Sequence, residues 1–440
     1  MLKRGLGATA LLVLLGTTHL AQADDLSTVV QQALDYDAEL GQARAAYEAA
    51  KLSVPIARAG LLPQITGGWG RAYNRIDMDP YPRQTYWQSG WMVNITQPLF
   101  DWSKWTAYRQ ADYIVAQGAV DLAAAQQKSI LRAVRAYFDE LAAEDEVKRS
   151  GEYLKAIEAQ RDQVRRKRAA GEATLIDERE IDAAREQAQL QAMDAQEELG
   201  VKRRAVQQAT GQPFVALTPL PAGMTPPGLT EGQEAWAEQA KTSAYEVQSK
   251  ELGWKIAQFD SAKARAAGYP VVSVTGSYTP AGAAGGYSRP TTTTVGMLQV
   301  QVPLFSGGEI QARVKQSLAQ QDKAEQTFNA ASVQAEAAAR DDHARYVRER
   351  IRSESLTHLV ATADESLQAT TVGFKVGSRA STDVLRAIDT LYTAKRDLLR
   401  SRYEALVAFL RLKADVATLS MEDIDSMNAL LGGSPEVSSR

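Results

Sequence analysis

The chain has 440 residues, a formal charge of −3 and no cysteine. With no basic stripe interleaved with aromatics, that balance offers no footing for nucleic acid, and the missing cysteine excludes disulfides, thiolate metal sites and a lipid-modified N-terminal cysteine. The length would allow two or three globular domains, but an internal repeat argues for one architecture in two similar halves.

Residues 1–23 read as a cleaved export signal: a basic start at Lys3 and Arg4, an apolar core over 8–15, and Ala21-Gln22-Ala23 as the cleavage site. The expected mature chain begins at Asp24. No later stretch approaches the ~18 consecutive apolar residues of a membrane-spanning helix, which leaves a β-barrel as the route across a bilayer.

Residues 24–59 are expected to be helical, with Leu26, Val29, Val30, Ala33 and Leu34 near helical spacing, and Pro63 stops the helix. Alternation over 64–76 then predicts a strand with Ile65, Gly67, Trp69 and Tyr73 on one face, broken by Arg71. Residues 77–84, with two prolines, read as a loop. The return strand, 85–97, places Trp87, Trp91, Val93 and Ile95 on one face. Aromatics near strand ends with apolar residues between them fit the girdles of an outer-membrane strand.

Pro98-Leu99-Phe100 then leads directly into helical periodicity that lasts from about 104 to 168, which makes an element about 100 Å long. Ile130, Val134, Tyr137 and Leu141 step 4, 3, 4 along it, the spacing of coiled-coil packing. A turn at Gly171 returns the chain as a helix over 174–210, and residues 211–230, with five prolines, form a linker.

The order then recurs. A helix over 231–267 ends at Pro270, and strands over 271–279 and 293–302 flank a Gly-rich loop at 280–290. Pro303-Leu304-Phe305 answers the first joint at an offset of 205. A second long helix over 309–374 turns at Gly377 into a last helix over 382–417. Residues 24–210 and 231–420 are therefore the two repeats, and 421–440 reads as a tail that is partly disordered. Four strands cannot close a barrel, so several chains are needed, and three would supply twelve strands around a water-filled lumen.

Catalysis finds no support. His343 and His358 are the only histidines after the signal, and H-E-x-x-H, Walker and G-x-S-x-G motifs are missing, so no cofactor or metal is expected. Asp341-Asp342-His343 reads as a solvated helix face. The informative polar groups lie at the two turns, where Gly171 and Gly377 are each followed six residues on by an aspartate, Asp177 and Asp383. A helix-ending glycine with a capping carboxylate for the next helix explains part of this pattern. The basic run Arg165 to Arg168 suits a helix C-terminus and equally a docking surface.

These residues, in this order, resemble the TolC family of outer-membrane efflux and secretion channels. Leu61-Leu62-Pro63-Gln64, QPLFDWSKW from Gln97, VGSRASTDVL from Val376 and LYTAKRDLLRSRY from Leu391 carry the resemblance. They are closer to the TolC branch than to the lipid-anchored drug-efflux branch. The resemblance implies an α+β membrane protein, a homotrimer whose twelve strands form one barrel in the cell outer membrane. A tunnel of twelve long helices would continue into the periplasm. It further implies docking of a periplasmic adaptor and an inner-membrane transporter, of the ABC or resistance-nodulation-division type, with adaptors engaging at Gly171 and Gly377. Asp177 and Arg379 match two residues of the family's periplasmic gate, and Asp383 matches one aspartate of its constriction ring. Three positions depart from the family pattern: Phe374 replaces a gate tyrosine, Ile176 a gate threonine and Arg386 a second ring aspartate. The expected function is an exit channel for secreted proteins, small molecules such as drugs, or both. The rival readings are a periplasmic coiled-coil adaptor without a pore and an exported enzyme.

Overall fold

A computed structural model describes residues 24–213, 216–221, 224–280 and 292–432. The expected signal at 1–23 lies outside the described residues, as does the expected loop at 280–290 apart from Pro280, which ends β3. The elements run α1 Leu26–Tyr36, α2 Ala38–Lys51, α3 Ser53–Ala59, β1 Gln64–Met78, β2 Tyr81–Phe100, α4 Trp102–Ala169 and α5 Leu175–Thr210, followed by α6 Gln233–Ser243, α7 Tyr245–Ala266, β3 Val271–Pro280, β4 Thr292–Gln301, α8 Glu309–Lys375, α9 Ser381–Asp415 and α10 Met421–Leu430. No described helix is long and apolar enough to cross a membrane, which says nothing of a barrel.

The four strands form one antiparallel sheet in the order β1-β2-β3-β4, with β1 and β4 at its edges. Period-2 alternation sets the register. Ile65 lies opposite Ile95, Trp69 opposite Trp91 and Tyr73 opposite Trp87, so the apolar residues of both strands share one face. Val274 opposite Leu298 and Val272 opposite Val300 continue that face across the sheet. Apart from the half-buried Val272, these side chains remain exposed in the single chain.

The hairpin is longer than the sequence reading. Residues 77–84 are not a loop: both strands continue to a turn at Asp79-Pro80. Pro82 cannot donate to the ladder, and the register shifts between Ile76 and Met78, on the strand facing it. Asp77 then ties the strands together through Arg75 and Arg83.

Where the sheet meets the helices, the two joints are built differently. Asp101 caps α4 by accepting a hydrogen bond from the Lys104 amide at 3.1 Å. The second joint turns on Gly307 and Gly308, both with positive φ, and α8 starts at Glu309. From these joints α4 and α8, with 68 and 67 residues, extend about 100 Å away from the sheet. Each returns as an antiparallel partner, α5 on α4 and α9 on α8, while α4 also packs against α9 and α7.

The expected helix over 24–59 is three helices. Asp37 ends α1 and caps α2, accepting from the Glu39 and Leu40 amides. Its carboxylate also receives Ser129 and Arg132 of α4, so tertiary partners favour the break. The second half breaks likewise at Ala244, whose extended backbone separates α6 from α7 and whose methyl group is buried.

The main core sits midway along the long helices. Val134, Tyr137, Phe138 and Leu141 of α4 pack with Leu406 and Leu410 of α9 and with Leu26 and Val30 of α1. Within the expected tail, residues 421–430 are helical, because Ile424 and Met427 give them an apolar face that joins this core. Asn428 accepts from the Leu26 amide at 3.1 Å and donates to Asp25 at 2.7 Å, which clips the end of the chain to α1. Residues 433–440 lie outside the described residues. The Pro-rich linker is tied down as well: Leu217 and Met224 enter the core, and Tyr137 donates to the Thr218 carbonyl at 3.0 Å.

Candidate functional site

The chemistry-bearing positions gather at the turns α4–α5 and α8–α9. Gly171 and Gly377 have φ of 80° and 82°, a backbone region that β-carbons disfavour. Each turn is closed by the same six-to-one hydrogen bond, from the Glu172 amide to the Lys167 carbonyl and from the Ser378 amide to the Gly373 carbonyl. The following helices are capped from within. Thr174 and Asp177 exchange hydrogen bonds at 3.2 and 2.9 Å, a reciprocal capping box. At the second turn the cap is one-sided, with Asp383 accepting from the Ala380 amide at 3.3 Å.

Asp177 and Arg379 form no ion pair within the chain. Asp177 is spent on the Thr174 cap, and the exposed Arg379 lies along Gly373, which has no side chain to obstruct it. Ile176 is 70% exposed, and Arg386 is exposed one turn beyond the half-buried Asp383. Arg165, Lys167 and Arg168 pair locally: Arg165 reaches Glu178 at 3.5 Å and Asp182 at 3.1 Å, Arg168 also meets Glu178, and Lys167 meets Glu172 at 3.5 Å.

What joins the two hairpins near their tips is apolar. Phe374 is only 5% exposed, in a cluster with Tyr153, Ile157 and Val164 of α4, Ile181 of α5, and Val384 and Ile388 of α9. The Lys167 ammonium lies 4.9 Å from its ring centre, a cation–π contact that covers the open side. Sequence reasoning singled out Phe374 for the hydroxyl it lacks and missed this seam. The signal was present: Ile181 and the Val384–Ile388 pair carry the apolar stripes almost to the turns. No group of three or more His, Cys, Asp or Glu suited to a metal occurs among the described residues.

Comparison with known proteins bears on this geometry. The family model described as "Outer membrane efflux protein" matches residues 29–212 and 236–416. The outer membrane protein TolC of Vibrio cholerae is 28% identical over 421 residues, covering 92% of this chain and 94% of that protein. The proteases secretion protein PrtF of Dickeya chrysanthemi is 26% identical, covering 95% and 93%. Among solved structures, the outer-membrane channel OprN superposes with a TM-score of 0.80 at 17% identity, covering 90% of each chain. The open state of the Neisseria gonorrhoeae MtrE channel does so with a TM-score of 0.76 at 19% identity, again over 90% of each chain.

Proposed function

The chain belongs to the outer membrane efflux protein family, and from that premise we propose that it is the outer-membrane exit channel of a tripartite export system. It passes secreted proteins, small molecules or both from an inner-membrane transporter and a periplasmic adaptor to the outside. The observation that carries this reading is the sheet. Its apolar face is exposed, its two edges are unpaired, and it sits at one end of helices about 100 Å long. Open edges are not tolerated in lipid, so other copies must pair them. Three chains close a twelve-stranded barrel that leaves room for water, while the helices stand in the periplasm as a tunnel. An adaptor without a pore would have no use for such a face.

The gate lies at the tunnel tip, where Phe374 and its neighbours hold the hairpins together. Asp177 and Arg379 act between neighbouring chains, since each is accessible at its turn. Gly171 and Gly377 present tight, side-chain-free turns on which the adaptor docks.

The test is assembly. Purified mature protein should require detergent and run as a trimer in native mass spectrometry. A stable monomer without detergent would sink the barrel reading and favour the pore-less adaptor.

The tip also sets ion selectivity. In a trimer Asp383 contributes three carboxylates to one ring, which selects counter-ions. Arg386, one turn on, contributes three guanidiniums that stay charged at any working pH. The two rings lie within the ~8 Å Debye length of physiological salt, so they offset one another. The wild-type channel should therefore be weakly cation-selective, and Arg386→Asp should make it strongly so, read as reversal potential across a salt gradient. A wild type already strongly selective and unmoved by the substitution would place Arg386 outside the pore.

A further inference from the structure

Three arginines stand on the apolar face of the sheet, where a soluble contact would not need them and a lipid-facing strand tolerates them only near its ends. Arg71, Arg75 and Arg83 fall on the same side as Trp69, Trp91 and Tyr73 by strand parity and register. Their height follows from the strands. Phe100 and Trp102 mark the inner end, beside the helix joint. Trp69 and its partner Trp91 lie nine positions along β2 from Phe100. At ~3.4 Å per residue and a tilt of about 40°, that is roughly 24 Å, the height of an outer-membrane apolar band. Arg71, opposite Ser89, comes at the next inward-outward repeat above Trp69, and Arg75 and Arg83 lie higher still. All three are thus at the level of outer-leaflet headgroups.

The cluster is organised. Asp77 accepts from Arg75 Nε at 3.2 Å and from Arg83 Nε at 2.6 Å. Both bonds use Nε, so one carboxylate holds two guanidiniums side by side and leaves their terminal nitrogens free of protein acceptors among the described residues. The Arg71 guanidinium lies 4.5 Å from the Trp87 ring centre, stacked rather than ion-paired. Trp87 in turn packs on Tyr73 at 5.2 Å, which fixes the platform. Asp77 and the turn residue Asp79 are the acidic groups at this end of the hairpin, against three arginines.

We propose that Arg71, Arg75 and Arg83 form a binding site for the phosphate groups of an anionic glycolipid of the outer leaflet, of the diphosphorylated lipid A class. Guanidinium forks match phosphate oxygens bidentately. Arg71 stands four residues from Arg75 along β1, roughly 14 Å at ~3.4 Å per residue, so the stacked arginine and the clamped pair offer two separate phosphate contacts. Trp87 and Tyr73 lie against the sugar and the upper acyl chains, as interfacial aromatics do. The site rests on the channel reading, because only a barrel turns this face to lipid.

The test uses the full chain in detergent, titrated with diphosphoryl lipid A and read by native mass spectrometry. A separate insertion measurement, protease protection of the strands in vesicles, judges the barrel reading. Wild-type protein should hold diphosphoryl lipid A far more tightly than phosphatidylcholine. Arg71→Ser/Arg75→Ser/Arg83→Ser should weaken it by roughly tenfold or more, since each basic residue near an anionic headgroup contributes to binding. The corresponding triple lysine variant, which keeps the charge but loses the forks, should bind between the wild type and the serine variant, and it shows that the serine loss is not misfolding. Protein that inserts normally yet holds lipid A equally well with serines overturns the site and leaves the channel standing. Complete displacement of lipid A by inorganic phosphate overturns it too, because the occupant would then be a free anion. Failure of the wild type to insert overturns the barrel reading itself.

Discussion

Phe374→Ala should raise single-channel conductance in planar bilayers by severalfold, and by more than either Asp177→Asn or Arg379→Ser. Phe374 is 5% exposed and belongs to one buried cluster with Val164 and Ile181 of the first hairpin and Val384 of the second. Truncating a buried phenylalanine costs about 3–5 kcal/mol, from lost burial and the cavity left behind. An exposed charge pair at the tip is worth about 0–1 kcal/mol. The apolar seam therefore outweighs the polar link in holding the hairpins closed. Phe374→Tyr, which keeps the ring, should conduct like the wild type, and helix content by circular dichroism should be unchanged in all four variants. Charge variants that open the channel while Phe374→Ala does not would assign closure to the polar links instead.

Acidification should stabilise the long helices down to about pH 5, and Glu140→Gln should remove much of that gain. Glu140 is 0% exposed on α4, neither of its oxygens is hydrogen-bonded, and Arg203 Nε comes no closer than 3.6 Å. Burial first, and then the charge of Glu144, push its carboxyl up to about 7, against the partial relief of Arg203. A raised carboxyl binds its proton more tightly folded than unfolded, so folding is favoured at low pH. Stability is lost as pH rises from the unfolded value near 4.5 towards 7, by on the order of 3 kcal/mol per chain. Asp415 behaves alike, pushed to about 7 by burial and by Asp342. Below about pH 4 the trend reverses, since Asp37 is held low by Ser129 and Arg132 despite its burial and loses those partners on protonation. The check is thermal unfolding by circular dichroism between pH 4.5 and 8. Glu140→Gln/Asp415→Asn should flatten the profile; an unaltered slope would mean that both carboxyls reach water in the folded protein.

Phe374 and Glu140 show how differently residues reveal themselves. Glu140 sits in a run, Phe138-Asp139-Glu140-Leu141, whose sequence places it no differently from the half-buried, ion-paired Asp139 beside it. Its burial depends on α5, which lies some sixty residues on and brings Arg203 against it and against Glu144, one turn along α4. Phe374 was legible as a position but not as a contact, because its partners come from three other helices. The pairing of Asp177 with Arg379 is an expectation of resemblance, and the single chain uses Asp177 locally as a cap.

By itself the sequence determined what is local. Period 2 before each proline-leucine-phenylalanine joint and helical period after it specified four strands, four long helices and their faces, since side-chain alternation follows directly from backbone geometry. The glycines at 171 and 377 specified the turns, because positive φ leaves few other choices. Only the tertiary structure decided where those elements yield to one another. Asp37 breaks a helix because Arg132 and Ser129 of α4 reward the break, Ala244 does so where its methyl group is buried, and α10 orders where Asn428 and Ile424 find α1. Each of these outcomes weighs a local preference of about a kcal/mol against contacts made across the chain, and those contacts exist only once the helices have packed.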